Sequence, residues 1–240
     1  MSVFFLYTKE TQKMSNSKQT CLDTLKSRIL TLCLPPGTAL DETSTAAEFG
    51  ISRTPFREVL QRLAGEGFIE IEDHRSATVA SMDLPRMRTF FQTAPLIYAA
   101  TARQAAENAN EAALTRLRAI QDRFRSAIDT PAKAALENHR FHHAIGEMAA
   151  NPYLMASLSR ILIDHTRLSQ TFYRPETTED ASRIDTAVAQ HDAMIEAFEA
   201  RDAASAAQIT IAHWDLSRDR MERFVRPDPI PFEFGTAHAV

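Results

Sequence analysis

The stretch Gly50–Ile69 reads GISRTPFREVLQRLAGEGFI, and its periods decide how the surrounding chain folds. Ser52 serves as N-cap with Pro55 in the first turn, or Thr54 caps with Pro55 at the first helical position; proline is tolerated in either place because its missing N–H has no intrahelical partner. Phe56, Val59, Leu60 and Leu63 then fall on one helical face, while Arg53, Arg57 and Gln61 recur every four residues on another. After GEG the period shortens. FIEI (Phe68–Ile71) alternates, EDHRSA is polar turn material, and TVA (Thr78–Ala80) returns as a second strand. Upstream, Leu22, Leu25, Ile29 and Leu32 share one helical face that LPPG (Leu34–Gly37) ends, because proline cannot continue a helix. A short helix over Ser44–Phe49, capped by Thr43 or Ser44 and ended by a left-handed Gly50, lies between them. Helix, helix, turn, helix, hairpin is a winged helix-turn-helix, here over residues 20–80.

Working outward, residues 1–19 carry no sustained period and read as a flexible arm in which Met14 is a second candidate start. SMDLPR (Ser81–Arg86) reads as a linker, since Pro85 discourages continuous structure. From 87 to 225 the chain shows six helical patterns with short connections, which predicts a helical bundle. The Pro-containing stretch 226–240 reads as a loose tail. The expected class is therefore mainly α, a winged helix-turn-helix followed by an all-α domain.

The composition of the 240 residues, 44% hydrophobic and 24% charged, is that of a globular chain. Apolar runs such as VFFLY are too short to span a bilayer and no secretory leader pattern appears, so the expected location is the cytoplasm, with no membrane partner. Cys21 and Cys33 lie in or at the end of one helix, roughly 18 Å apart at the helical rise, and read as free thiols. A net charge of −4 gives no general attraction to nucleic acid. Residues 20–80 hold six Lys/Arg against nine Asp/Glu, so any DNA contact must be narrow and a dimer would be needed to build affinity.

Two constellations carry chemistry. Arg53 and Arg57, four apart at a helix start, can reach guanine O6 and N7 in a major groove or the flanking phosphates; alone they would equally be solvated charges paired with Glu58, Glu66 or Asp41. In ENHRFHHAIGEMAANPYL, Asn138 and His142 share a face with Ile145 and Ala149. His191 lies on the stripe Val188, His191, Ile195, Phe198, and His213 lies between Ile209 and Leu216. A single inward histidine is commonly a hydrogen-bonded core residue, but three on three helices with an amide can hold a divalent transition metal with open positions. His139, His143 and His165 lack apolar company and are expected to be exposed or to adjoin that site. HExxH and ferritin-like Glu-x-x-His pairs are absent, which argues against an enzyme.

PPGTALDETSTAAEFGISRTPFREVLQRLAGEGFIEI resembles the DNA-binding domain of the GntR family of bacterial transcription regulators. The resemblance implies that Arg53, Thr54 and Arg57 contact DNA and that Arg75 is the basic residue of the wing. The chain has Thr43 where many members carry arginine, and His74 and Ser76 near the usual wing glycine. The second half, with NHRFH, QHDAMIEAFEARD and AHW, is similar to the FCD ligand-sensing domain of the FadR branch. That likeness implies Asn138, His142, His191 and His213 as ligands of a metal, Zn or Ni, and a homodimer reading a pseudo-palindromic operator under control of a small carboxylate effector. Many members carry Asp in place of Asn138, and an Arg and a Glu where Ala94 and Tyr98 align. The readings in competition are an effector-controlled regulator, a DNA-binding dimer whose helical half only dimerises, and a three-histidine metalloenzyme.

Overall fold

The computed structural model describes residues 17–72 and 76–225, the side chains of the last three excepted. Helix α1 covers residues 17–30, so 17–19 belong to it rather than to an arm, while 1–16, the tail 226–240 and Arg75 of the expected wing contact lie outside the described residues. Leu22, Leu25 and Ile29 are buried as their spacing predicts. Leu32 leaves the expected face: the helix stops ahead of the prolines, with Leu32 in the left-handed region at φ 61°. Helix α2 is Glu42–Glu48, starting ahead of the expected Ser44 because the Asp41 carboxylate accepts the Ser44 N–H at 2.6 Å and caps it. Gly50 follows at φ 61°, a conformation a side chain would strain.

Helix α3, Arg53–Glu66, buries Phe56, Val59, Leu60 and Leu63 and ends at a left-handed Gly67. Its N-cap is Ser52, without a side-chain bond to the helix. Strands β1 (Ile69–Glu70) and β2 (Thr78–Val79) pair antiparallel, Ile69 opposite Val79, and Ala39 adds an isolated bridge to Thr78. The three helices and the hairpin close over one core in which Cys21, Leu22, Leu25, Phe56, Leu63 and Val79 meet. Burial pushes the Cys21 thiol up to about 11, and both cysteines are free.

Six helices make the second domain: α4 Leu84–Asn108, α5 Glu111–Ala127, α6 Pro131–Met148, α7 Pro152–Phe172, α8 Thr178–Glu199 and α9 Ala203–Val225. Helix α4 begins inside the stretch expected as linker. Asp83 caps it by accepting the Arg86 N–H, and Pro85 sits in the first turn, where proline breaks nothing. Asn110 and Asn151 cap α5 and α7, and Thr177 caps α8 through a reciprocal capping box with Asp180. Helix α7 departs from the usual one-sided pattern, every residue from 162 to 170 being buried, because the winged domain covers one side and the bundle the other. No helix among the described residues is long and apolar enough to cross a membrane.

Candidate metal centre and nucleic-acid interface

His142 of α6, His191 of α8 and His213 of α9 converge in the bundle, with a ring nitrogen of each within 4.8 Å of the others. All three are buried, His191 completely. Gln121 on α5 sets the ring of His191. Its amide N–H₂ donates to Val188 O and to Asp192 Oδ1, both at 3.0 Å, which leaves Oε1 to accept from His191 Nδ1–H at 2.9 Å. His213 Nδ1–H donates likewise to Gln190 Oε1 at 3.0 Å. With both Nδ1 atoms protonated, the two Nε2 atoms present lone pairs to each other at 3.3 Å. Facing lone pairs repel unless a cation lies between them, and an Nδ1–H bond is the usual way a ligating imidazole is oriented.

Asn138 Oδ1 and His142 Nε2 are buried with no hydrogen-bond partner. Both sit on α6 one turn apart, and leaving such groups unpaired costs on the order of 1–3 kcal/mol each. These orphaned acceptors, added to the bare Nε2 pair, make a donor set that fits a divalent transition metal. Burial first, and then neighbouring imidazoles, hold His142 and His191 well below the ordinary histidine value, and burial takes His213 down to about 4. All three are thus neutral near pH 7, which is the ligating form.

Beside the cluster Asn138, His165, Ser169, Tyr173, His213 and Ser217 line a cavity of about 10 Å³, room for about one water. Tyr98 closes one side of the site: its ring stands edge-on to His142 at 5.1 Å and its hydroxyl bonds His165 Nδ1. His165, expected either to be exposed or to adjoin the site, takes the second place: it is 4% exposed and part of the wall of the site. His143 is half-exposed and near Glu147, whereas His139 is partly buried against the Thr166 hydroxyl. Trp214, next to His213, packs on Phe90, Tyr98 and His165, and its Nε1–H has no partner.

Sequence reasoning missed Gln121 and Gln190. Gln121 had a signal, being the polar member of the buried stripe Leu114, Leu117, Gln121, Phe124 on α5.

On the winged domain, Arg53, Thr54 and Arg57 are exposed together on the first turns of α3. Neither arginine is hydrogen-bonded to the three carboxylates considered above, although Arg53, after the hydrogen bonds from Ser44, also helps to hold the Asp41 carboxyl below its ordinary value. Arg53 donates to the Thr43 hydroxyl at 2.8 Å and Arg57 to Glu42 at 3.0 Å. Asp41 is occupied in capping α2, Glu58 pairs with Lys18, and Glu66 pairs with Lys26 and Arg62. Two cations therefore stand at the start of a solvent-facing helix, each tethered by surface contacts among the described residues.

The family model for the FCD domain matches residues 91–216, and that for the bacterial regulatory proteins of the gntR family matches residues 18–79. The chain belongs to the GntR family, FCD type. The gluconate operon transcriptional repressor of Bacillus subtilis (strain 168) is 25% identical over 203 residues, 82% of each chain. The HTH-type transcriptional regulator YdhC of the same organism is 22% identical over 194 residues, 80% of this chain and 84% of its own. Among solved structures, McbR/YncC of E. coli superposes with a TM-score of 0.74 at 16% identity, over 88% of this chain and 99% of the other, a likeness of fold. This GntR-family member is a DNA-binding transcription regulator and not an enzyme, as its family and relatives are.

Proposed function

We propose that this regulator is a homodimer whose operator affinity is set by a small organic acid bound at a divalent transition metal, Zn or Ni, held by Asn138, His142, His191 and His213. The observation that carries this reading is the pair of orphaned buried acceptors, Asn138 Oδ1 and His142 Nε2, beside the bare Nε2 atoms of His191 and His213. When bound, the metal supplies a Lewis-acidic charge that attracts a carboxylate. A neutral amide at Asn138 leaves that charge less compensated than an aspartate would. Gln121 and Gln190 hold the imidazoles in their ligating tautomer, and burial keeps them neutral. Phe172 and Tyr173 help to narrow the cavity beside the cluster to room for about one water, so an acid enters only by displacing a side chain.

Arg53, Thr54 and Arg57 are the operator-reading residues of this proposal, with each head of the dimer taking one half-site of a pseudo-palindrome. An effector that prefers one arrangement of the two heads changes operator affinity by the ratio of its own affinities for the two arrangements, and DNA changes effector affinity by the same factor. The test is elemental analysis of the purified chain, followed by thermal-shift screening of organic acids with and without added Zn or Ni. A ligand selective for the folded state raises the melting temperature by mass action. The reading predicts acids that stabilise only the metal-loaded chain and alter operator affinity; acids that stabilise it equally without metal, or a chain that takes up none, defeat it.

A further inference from the structure

Helix α7 lies between the two domains and touches both along about three turns. On one side, Arg160 donates to Gly65 O of α3, Ile163 enters the winged core, and Gln170 Nε2 donates to Leu30 O at the end of α1 at 2.7 Å. The seam is close: a Cβ on Gly67, at the end of α3, would stand 2.4 Å from the Arg160 guanidinium. On the other side, His165 bonds the Tyr98 hydroxyl, the Thr166 hydroxyl meets His139 Nδ1, and Ser169 lines the cavity with Asn138 and His213.

Between these two sides runs a chain of ion pairs. Glu70 of β1 accepts from Arg86 Nη1 at 2.9 Å, Arg86 Nε reaches Asp164 Oδ2 at 3.2 Å, and Asp164 Oδ1 accepts from Arg167. Arg167 Nη1 then donates to Ala80 O, just beyond β2, at 2.8 Å. Arg167 is wholly buried, and its Nε–H has no partner. An apolar pair of similar volume would hold such a seam at least as firmly, because desolvating two charges costs as much as their attraction returns. What the fork of Arg167 adds is direction. A planar guanidinium bonded to a fixed carbonyl and a fixed carboxylate admits one relative placement of the groups it joins.

We propose that the turn Asp164–Arg167 of α7 couples the histidine site to the DNA-reading domain, Asp164 and Arg167 being positioning residues that set how the winged domain docks on the bundle. His165 and Thr166 lie between them in the same turn, so a movement of the site wall displaces the latch with it, the helix being rigid over a rise of about 5.4 Å. This inference rests on the proposed function only for the source of that movement; the latch itself is a property of the metal-free chain.

The experiment measures an interdomain distance by pulsed electron spin resonance, with labels on Cys33, which is exposed, and on a cysteine introduced by Tyr153→Cys, where the side chain is 84% exposed. Cys21 is buried and stays unlabelled, and dilution with unlabelled chain removes distances between copies. The comparison is between the native latch and the double variant Asp164→Leu, Arg167→Met, which leaves Arg86 its partner Glu70. Without metal, the native latch should give one narrow distance distribution and the double variant a broadened one. Saturating zinc should shift the native distribution and leave that of the variant unchanged, while calorimetry shows both taking up zinc alike.

A variant distribution as narrow as the native one overturns the latch. An identical response to zinc in the two, null or otherwise, overturns the coupling. If the native chain takes up no zinc, the proposed function falls and the latch is judged on the metal-free comparison alone. Should the double variant fail to fold, Asp164→Asn, which keeps the shape and removes the charge, reads the same comparison.

Discussion

The winged domain and the helical domain handle their working side chains in opposite ways. Arg57 has 68% of its side chain exposed and lies in a surface pair with Glu42, whereas Asn138 and His142 are 2% exposed and have buried acceptors with no partner at all. A surface pair is screened and contributes only about 0–1 kcal/mol, so it yields readily to a phosphate or a base edge. A buried unpaired acceptor is costly in every state except the one that supplies its partner. The first arrangement keeps a residue available; the second makes a site wait for a particular ligand. The same contrast appears within α7, where buried charges join the domains instead of facing solvent.

Four measurements would break or sharpen that contrast. The largest effect is expected from the double variant His142→Ala, His191→Ala, which should lose the metal entirely by elemental analysis, while Asn138→Asp should retain it or bind it more tightly. Full stoichiometric metal in the double variant would end the ligand assignment. Next, Arg57→Ala should weaken binding to an operator recovered by selection from random DNA by about 1–3 kcal/mol if the residue reads a base, and less, without regard to sequence, if it holds a phosphate. Mobility-shift titration at fixed salt reads this, and unchanged affinity in both Arg57→Ala and Arg53→Ala removes them from the interface.

Gln121→Leu should lower metal affinity about 10- to 100-fold with the three histidines intact, because His191 loses the acceptor that orients it. A competition assay with a chelating dye would show it; wild-type affinity would mean that packing against Phe124 and Phe141 is enough to hold the ring. The smallest change is expected from Glu42→Gln, which frees Arg57 and should strengthen operator binding by less than about 1 kcal/mol. A loss of binding instead would place Glu42 itself among the DNA contacts.

Much of this was legible along the chain, for physical reasons that differ by element. The stripe Phe56, Val59, Leu60, Leu63 and the inward placement of His142, His191 and His213 follow from helical periodicity, and each is buried as expected. Helix starts were less legible, because capping is a local competition. Asp41 took α2 from Thr43 and Ser44, and Asp83 drew α4 back into the expected linker. In the stretch Asp164-His165-Thr166-Arg167 only His165 had any signal, a place adjoining the site being one of its two expectations. A run of polar residues ordinarily marks a solvated face, and only a helix covered on both sides by separate domains can bury it.

The sequence by itself determined the order of elements, the faces they bury and the residues that distinguish this regulator, since backbone periodicity and cap chemistry act over a few neighbouring positions. Only the tertiary structure decided which of those residues meet. That His191 takes its orientation from Gln121, that Tyr98 rather than a charged pair closes the site, and that Arg167 reaches the Ala80 carbonyl depend on groups 70, 67 and 87 positions apart in the chain. No local rule spans such separations, because what sets them is the packing of six helices against one another and against the winged domain.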